Sequence, residues 1–329
     1  MSRAKRGGSR GTGQAAWLTL QTELAPYETG VHWLSPPVSE GALEEATARL
    51  GALPLPLCEF YRRFGSARLF LDSYEVLPLD AVARHEDWLQ IGVALGAVIF
   101  CTPKGEVRCE DEEGETMLAG ATPLHWLCLV ARREQLVFDK DGEFRDVFDD
   151  QAEGELKPAI RLKRAQLGRT HEPEAALYLF ESALLSLDDG DETTALEQAD
   201  EARRLDPLAT CAHELSANLL EGQDPVAASA AWAVAGRVAR HAPRGADSLG
   251  RAAVLAGPLH KSYARLAELA LARDPGCVAR WLSEAEHALL QRDPEVTQRL
   301  AKLAQAVATS EEDKRRATQL QLRASLRVV

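Results

Sequence analysis

The chain has 329 residues, of which 46% are hydrophobic and 27% charged, and its formal net charge at pH 7 is −12. This composition excludes a collagen-like fibre, wholesale disorder and a small disulfide-stapled scaffold. The acidic balance argues against direct nucleic-acid binding, which requires a positive surface. Because the sequence has neither about 18 unbroken apolar residues nor the apolar segment of a secretory signal, we expect a cytoplasmic protein with no membrane span.

The first 65 residues predict a basic tail followed by two helices. Residues 1–14 are basic and rich in Gly and Ser, which is typical of a flexible tail. Ser39 can cap a helix whose apolar residues recur at helical spacing until Gly51 ends it. A second, shorter helix follows Pro56 and stops at Gly65; its apolar residues are Leu57, Phe60, Tyr61 and Phe64.

After Gly65 the spacing of apolar residues shifts towards two, which predicts strands. The candidate strands are Arg68–Leu71, Tyr74–Leu77, Val98–Cys101, Val107–Glu110 and Thr116–Leu118. A helix from Leu124 to about Arg133 follows, and Gln135–Phe138 with Phe144–Phe148 predict a last hairpin. We expect most of the aromatic residues in the core, among them Trp33, Trp88, Trp126, Phe60 and Phe64. These elements predict a mixed α+β domain over residues 15–150.

From about residue 172 strand character disappears, and residues 151–172 are expected to be a linker. Helix-breaking residues then recur with a period near 34, in one series at Asp191, Pro225, Pro258 and Pro294 and in another at Pro207, Pro243 and Pro275. This period predicts a helix–turn–helix unit repeated about four times and closed by a helix over roughly Glu311 to Val328. Residues 173–329 are therefore expected to form an all-α solenoid of helical repeats.

Residues 38–148 contain a series of short motifs in a particular order. They are Ala48-Arg49-Leu50-Gly51, Leu53-Pro54, Phe60-Tyr61, Leu77-Pro78-Leu79, Ile91-Gly92, Val98-Ile99-Phe100-Cys101 and Gly105-Glu106-Val107. In this order of motifs the segment resembles the SUKH superfamily. The resemblance implies a protein-binding domain and no enzyme. Bacterial members of this superfamily are immunity proteins that neutralise a cognate toxin, and eukaryotic members are regulatory interaction hubs.

Small residues recur at matching positions in the predicted repeats of residues 173–329. In the third repeat, Ala267, Ala270 and Asp274-Pro275 have the same spacing as Ala199, Ala202 and Asp206-Pro207 in the first. In this placing of small residues the segment resembles tetratricopeptide repeats. The resemblance implies a surface that binds or assembles other proteins.

The acidic excess is concentrated in residues 38–150, which hold 11 basic and 22 acidic side chains and so have a net charge of −11. This asymmetry favours an electropositive protein partner, or else serves solubility. The candidate partner-binding residues are Glu110, Asp111, Glu112, Glu113, Glu115, Asp139, Asp141 and Asp146. Alternatively, the run from Glu110 to Glu115 is a solvated hairpin tip whose like charges deter edge-to-edge association.

In the predicted solenoid, a basic strip is the second candidate surface. Its residues are Arg203, Arg204, Arg237, Arg240, Arg244 and Arg251. The alternative is that Arg203, Arg204 and Arg240 sit at solvated helix ends, where a positive charge suits the helix dipole.

No constellation of residues predicts catalysis. The six cysteines are isolated, and the sequence contains no Gly-x-Ser-x-Gly, no His-Glu-x-x-His and no complete phosphate-binding loop. We therefore expect no enzyme, no metal and no cofactor. The leading hypothesis is an immunity-type protein that binds and neutralises a protein toxin, such as a basic nuclease, through its acidic domain. The alternatives are a tetratricopeptide-like adaptor or scaffold in a multi-protein assembly, and an enzyme of unrecognised type.

Overall fold

The computed structural model describes residues 19–149 and 154–326, so the predicted tail over residues 1–14 lies outside the described residues. It has an amino-terminal antiparallel sheet with helices and then a run of packed helices, which confirms the α+β fold class. The chain divides into two compact units. The first contains residues up to 112 together with 116–206, and the second contains residues 113–115 and the chain from residue 207.

The first described element of the first unit is α1, over residues 19–24, and short helices and strands follow it. The elements that follow are β1 (His32–Leu34), α2 (Glu40–Leu50), α3 (Leu55–Tyr61), β2 (Ala67–Leu69), β3 (Tyr74–Val76), β4 (Ala83–His85), β5 (Trp88–Ala94), β6 (Ala97–Cys101), β7 (Val107–Glu110), β8 (Thr116–Gly120) and α4 (Pro123–Glu134). The strands form one antiparallel sheet in the order β1-β2-β3-β5-β6-β7-β8, and β4 pairs with β5 off this path.

Local sequence signals set the ends of these helices. At the start of α2 the Ser39 hydroxyl accepts a hydrogen bond from the Ala42 N–H at 3.2 Å, and Gly51 ends the helix with φ of 79°. Thr122 caps α4 in the same way, accepting from the His125 N–H at 3.2 Å. The predicted helices and the five predicted strands of this region are present, with small shifts at their ends.

Strands β1, β4 and β5 are not predicted by the spacing of apolar residues. In β5 the reason is Gly92, since glycine inside a strand weakens the strand signal. The structure explains this glycine: a β-carbon at Gly92 would overlap the carbonyl oxygen of Glu75 on the neighbouring strand. The register of β5 against β6 also shifts at this point, so Gly92 marks a bulge where two backbones approach closely.

The predicted last hairpin is present only in part, and one further expectation is wrong. Phe138 pairs with Phe144 in an antiparallel bridge around the predicted turn, but residues 135–137 form helical turns after α4, and Phe148 bridges to Leu156. Trp33 is 59% exposed, since the period of two along β1 directs it to the opposite face from its half-buried neighbours. Trp126, Phe60 and Phe64 lie in the core as predicted.

Three helices complete the first unit, and they protect the outer edge of β8. They are α5 (Pro158–His171), α6 (Ala176–Asp188) and α7 (Glu192–Leu205). The Tyr178 hydroxyl donates to the Ala119 carbonyl at 2.9 Å, and the Glu172 carboxylate accepts from the Ala121 N–H at 3.1 Å. Side chains therefore hydrogen-bond to backbone groups at the edge of β8 that would otherwise be unpaired.

The same edge carries a buried ion pair. The Arg108 guanidinium on β7 donates to both Asp206 oxygens, at 3.0 and 2.7 Å, and Asp206 also accepts from the Leu118 N–H at 2.9 Å. Both side chains are at most 5% exposed. The first unit therefore extends to Asp206, beyond the boundary expected at residue 173, and part of the expected linker is helix α5.

The described helices of the second unit are α8 (Thr210–Leu220), α9 (Pro225–Val238), α10 (Ala242–Ala256), α11 (Tyr263–Arg273), α12 (Cys277–Leu290), α13 (Pro294–Val307) and α14 (Glu311–Ser325). Their core is rich in Ala and contains the fully buried Trp281. Gly250 lets α10 approach this ring, because a β-carbon at that position would lie 2.9 Å from it. The result is a series of closely packed helices that resembles a repeat array.

The predicted helix breakers lie at helix ends. Asp191 caps α7, Pro225 and Pro294 begin α9 and α13, and Pro243 lies in the first turn of α10. Pro258 and Pro275 lie in the loops before α11 and α12. Over the residues that the structure describes, no helix is both long and apolar enough to cross a membrane.

Candidate partner-binding surface

Three turns of the first unit lie at the same end of the sheet. They are residues 70–73 between β2 and β3, residues 95–96 between β5 and β6, and the turn that begins at Asp111 after β7. The antiparallel ladder requires this, because Tyr74 pairs with Ala94 and Ile99 pairs with Cys109. A hydrogen bond of 2.7 Å from the Leu95 N–H to the Ser73 carbonyl joins the first two turns.

Two of these turns expose a leucine in the left-handed backbone conformation. Leu71 is 58% exposed with φ of 54°, and Leu95 is 65% exposed with φ of 50°. This conformation favours Gly, Asn or Asp, since other L-residues lose roughly 1–2 kcal/mol in it. Neither turn propensity nor burial therefore accounts for a leucine at these two positions.

A third large apolar side chain, Phe144, is 61% exposed. Its ring stacks on Phe138 with centroids 4.8 Å apart, and Phe138 in turn stacks on the buried Phe70 at 5.0 Å. The turn before Phe144 lies beside Leu71, because a β-carbon at Gly142 would be 3.4 Å from the Leu71 side chain. Phe144 thus continues a stack of rings from the core to the surface near Leu71.

Acidic residues neighbour these apolar side chains in sequence or lie at the same end of the sheet. Asp72 follows Leu71, Asp141 lies in the turn before Phe144, and Asp111 and Glu112 lie in the turn after β7; all four are exposed. We call this set the sheet-end surface; it consists of Leu71, Leu95, Phe144, Asp72, Asp111, Glu112 and Asp141. Apolar anchors inside a polar rim are the usual arrangement of a protein–protein interface.

The predicted acidic run divides between surface and interior. Glu110 is half-buried at the end of β7, whereas Asp111 and Glu112 are exposed. Glu113 and Glu115 belong to the second unit, where Glu113 pairs with Arg244.

Glu115 is only 2% exposed, so it does not lie on a surface. Its carboxylate accepts hydrogen bonds from the Thr210 hydroxyl at 2.7 Å and from the backbone N–H groups of Arg240 and His241 at 3.0 and 2.9 Å. This carboxylate therefore stabilises the chain just before α10.

The other predicted acidic residues, Asp139, Asp141 and Asp146, stabilise a turn and form two exposed ion pairs. The Asp139 carboxylate accepts from the N–H groups of Asp141 and Glu143 at 2.9 and 3.0 Å. Asp141 pairs with Lys140 at 3.0 Å, and Asp146 pairs with Lys157 at 2.9 Å. Of this group, Asp141 alone is part of the sheet-end surface.

The arginines of the predicted basic strip belong to different units. Arg203 and Arg204 end α7 in the first unit and pair with Asp200 and Glu201 of the same helix. Arg237 and Arg240 are exposed near the end of α9 in the second unit. The pairs within α7 match the expectation for a solvated helix end.

Cys101 in β6 and Cys109 in β7 carry thiols whose surroundings disfavour the thiolate. Burial raises the pKa of the Cys101 and Cys109 thiols to about 12, so both stay protonated at neutral pH. No group of three His, Cys, Asp or Glu within the described ranges could hold a metal ion.

Leu71, Leu95 and Phe144 are not among the residues predicted from the sequence to bind a partner. Leu71 and Phe144 lie within segments predicted as strands, and the signal available for Leu95 is the Gly96 that follows it, which is typical of a turn. The chain matches no protein-family model and no curated protein.

Proposed function

We propose that the protein is a non-catalytic protein-binding module whose sheet-end surface binds a basic partner. The observation that carries this proposal is the pair of exposed leucines, Leu71 and Leu95, in turns where a leucine is unfavourable. The net charge of −11 over residues 38–150 adds electrostatic steering towards a positive surface. The SUKH-like order of motifs supports an immunity-type protein, which would neutralise a toxin such as a basic nuclease.

The test compares capture by the tagged full chain with capture by the L71N/L95N variant. The matched control is L322N/L326N, which makes the same changes at two leucines that are 60% and 78% exposed on the second unit. We expect the variant to weaken binding of the captured basic protein at least about tenfold, because two apolar anchors are removed. The control should bind as the unmodified chain does.

Two further measurements locate the contact. Lys140 is 64% exposed beside Asp141, so chemical cross-links from Lys140 to the purified partner are expected. Affinity should also fall as salt rises, since the acidic rim is exposed. Equal affinity of the unmodified chain and L71N/L95N for the purified partner would contradict the proposal.

A groove on the second unit favours the tetratricopeptide-like adaptor as a second candidate. Its volume is about 370 Å³ and its lining is mostly apolar, with Val226 (74% exposed), Val234, Leu255 and Leu266 among its residues. Helical repeats hold peptides in such grooves. If V226D abolishes capture while L71N/L95N retains it, the adaptor function is favoured.

A further inference from the structure

A second groove of the second unit lies between α10 and α13 and is lined by three cations. Its volume is about 350 Å³, which falls within the range of small-molecule sites. Arg251 comes from α10, and Arg299 and Lys302 come from one face of α13. These three residues have no part in the sheet-end surface.

None of these three cations has a carboxylate within ion-pair distance in the part of the chain that the structure describes. Other cations of the second unit do have such partners, as Arg280 with Asp247 at 2.7 Å and Arg316 with Glu286 at 2.7 Å show. The charge of the three groups is therefore available to an anion from outside the protein.

Arg251 is held in place before any ligand binds. Its guanidinium lies 4.3 Å from the centre of the Trp232 ring and donates to the Asn218 side-chain oxygen at 3.1 Å. Burial lowers the pKa of Arg251 by more than the carboxylates of Glu221, Glu214 and Asp247 raise it, and the nearby Arg299 adds to the lowering. An arginine stays protonated in proteins, so this half-buried group keeps its positive charge with no carboxylate in ion-pair contact among the described residues.

The remaining lining suits the organic part of a ligand. Val254, Leu255 and Leu303 supply an aliphatic wall. Glu221, Glu295 and Gln298 supply oxygen atoms that can accept hydrogen bonds from hydroxyl groups. Glu221 already accepts from the Trp232 indole N–H at 2.8 Å, which fixes its position.

We propose that this groove binds a small polyhydroxylated phosphomonoester, with the phosphate held by Arg251, Arg299 and Lys302. Guanidinium groups match the geometry of phosphate oxygens, and two of them with a lysine suit an anion of about two negative charges. The carboxylates of Glu221 and Glu295 would accept from hydroxyl groups and disfavour a second anionic group. The aliphatic wall would pack against the carbon skeleton.

The test is calorimetric titration of the full chain at low ionic strength with glycerol 3-phosphate as the probe. Inorganic phosphate, glycerol and glutarate are the comparison ligands. We expect the phosphomonoester to bind most tightly, inorganic phosphate more weakly and glycerol not at all. No binding of glycerol 3-phosphate, or equally tight binding of glutarate, would overturn the proposal.

Variants then locate the site. R299Q/K302Q changes two exposed side chains of α13 and should weaken the binding of glycerol 3-phosphate at least about tenfold. The matched control is R315Q/R323Q, which removes two exposed positive charges from α14 and should leave the affinity unchanged. An equal loss in both variants would show a non-specific charge effect and reject the groove as the site.

Discussion

His32 shows how burial of one ring makes stability depend on pH. Its Nδ1 atom accepts from the Phe70 N–H at 3.4 Å, and its Nε2 atom is buried without a hydrogen-bond partner among the described residues. The rings of Tyr27 and Phe70 pack edge-on against it at 4.7 and 4.8 Å. Burial consequently lowers the pKa of His32 to about 4, so the folded protein holds it neutral at physiological pH.

We expect protonation of His32 to destabilise the first unit in mildly acidic solution. The folded pKa of His32 is below the unfolded value of 6.5. The neutral ring's contribution to the free energy of unfolding is therefore complete above pH 6.5 and is lost as the pH falls towards 4. The loss should be about 1–2 kcal/mol, after allowance for solvent screening of a half-buried ring. The measurement is the free energy of unfolding in urea between pH 7 and 4.

The H32N variant isolates this effect, because its side-chain oxygen can still accept from the Phe70 N–H and cannot titrate. Other carboxyl and imidazole groups titrate equally in both proteins, so the difference between the two pH profiles belongs to His32. Parallel profiles for the two proteins would mean that His32 is solvated in the folded state.

At the scale of single residues, the burial of Glu115 could not be predicted from the sequence. The sequence correctly gives a turn with several carboxylates between β7 and β8. It gives no sign that one carboxylate is buried, because the groups that hydrogen-bond to it are Thr210 and the backbone before α10, which lie 95 to 126 residues further along the chain. Asp111 and Glu112 are exposed and so remain consistent with the predicted acidic surface.

At the scale of elements, the turn between β5 and β6 has an unusual sequence for its geometry. Ala94 pairs with Ala97, so Leu95-Gly96 is a two-residue turn, and φ is 50° and 89° at its two residues. Positive φ at both positions is typical of a type I′ turn, for which Asn-Gly is strongly preferred. Leu95 therefore destabilises the hairpin of β5 and β6.

We predict that L95N raises the free energy of unfolding by about 0.5–1 kcal/mol, since asparagine tolerates the left-handed conformation. The same change at the exposed helical Leu322 should lower it by about 0.5 kcal/mol, because asparagine is a poorer helix former. Urea unfolding of both variants gives the comparison. A loss of stability in L95N would mean that the Leu95 side chain packs within the fold and is not held there for a partner.

Periodicity and turn residues predict most elements of the first unit because these signals are local. The predicted strands β6, β7 and β8 have apolar residues at a spacing that a single strand imposes. Gly92 in β5 is a local defect required by the Glu75 carbonyl of a neighbouring strand, and Trp33 is exposed because of the face that β1 presents. The need for glycine at position 92 and the exposure of Trp33 depend on tertiary neighbours, which the spacing of residues does not specify.

At the scale of the whole molecule, the ends of the units depend on long-range polar contacts. Helical composition begins near residue 172 and suggests a boundary there. The first compact unit nevertheless includes α6 and α7, because Tyr178 and Asp206 satisfy backbone groups of β8. Asp206 also neutralises Arg108, whose burial would otherwise leave a charge unpaired.

We therefore predict that a fragment ending at residue 208 folds cooperatively, whereas one ending at residue 172 does not. The shorter fragment leaves Arg108 without its carboxylate and exposes the edge of β8, and loss of one partner of a buried pair typically costs about 3–5 kcal/mol. An unpaired edge also promotes aggregation, so sedimentation should be measured beside thermal unfolding. In the shorter fragment R108M removes the unpaired charge and should recover part of the lost stability. Equal melting temperatures for the two fragments would place the end of the folding unit at residue 172 and make α6 and α7 dispensable to it.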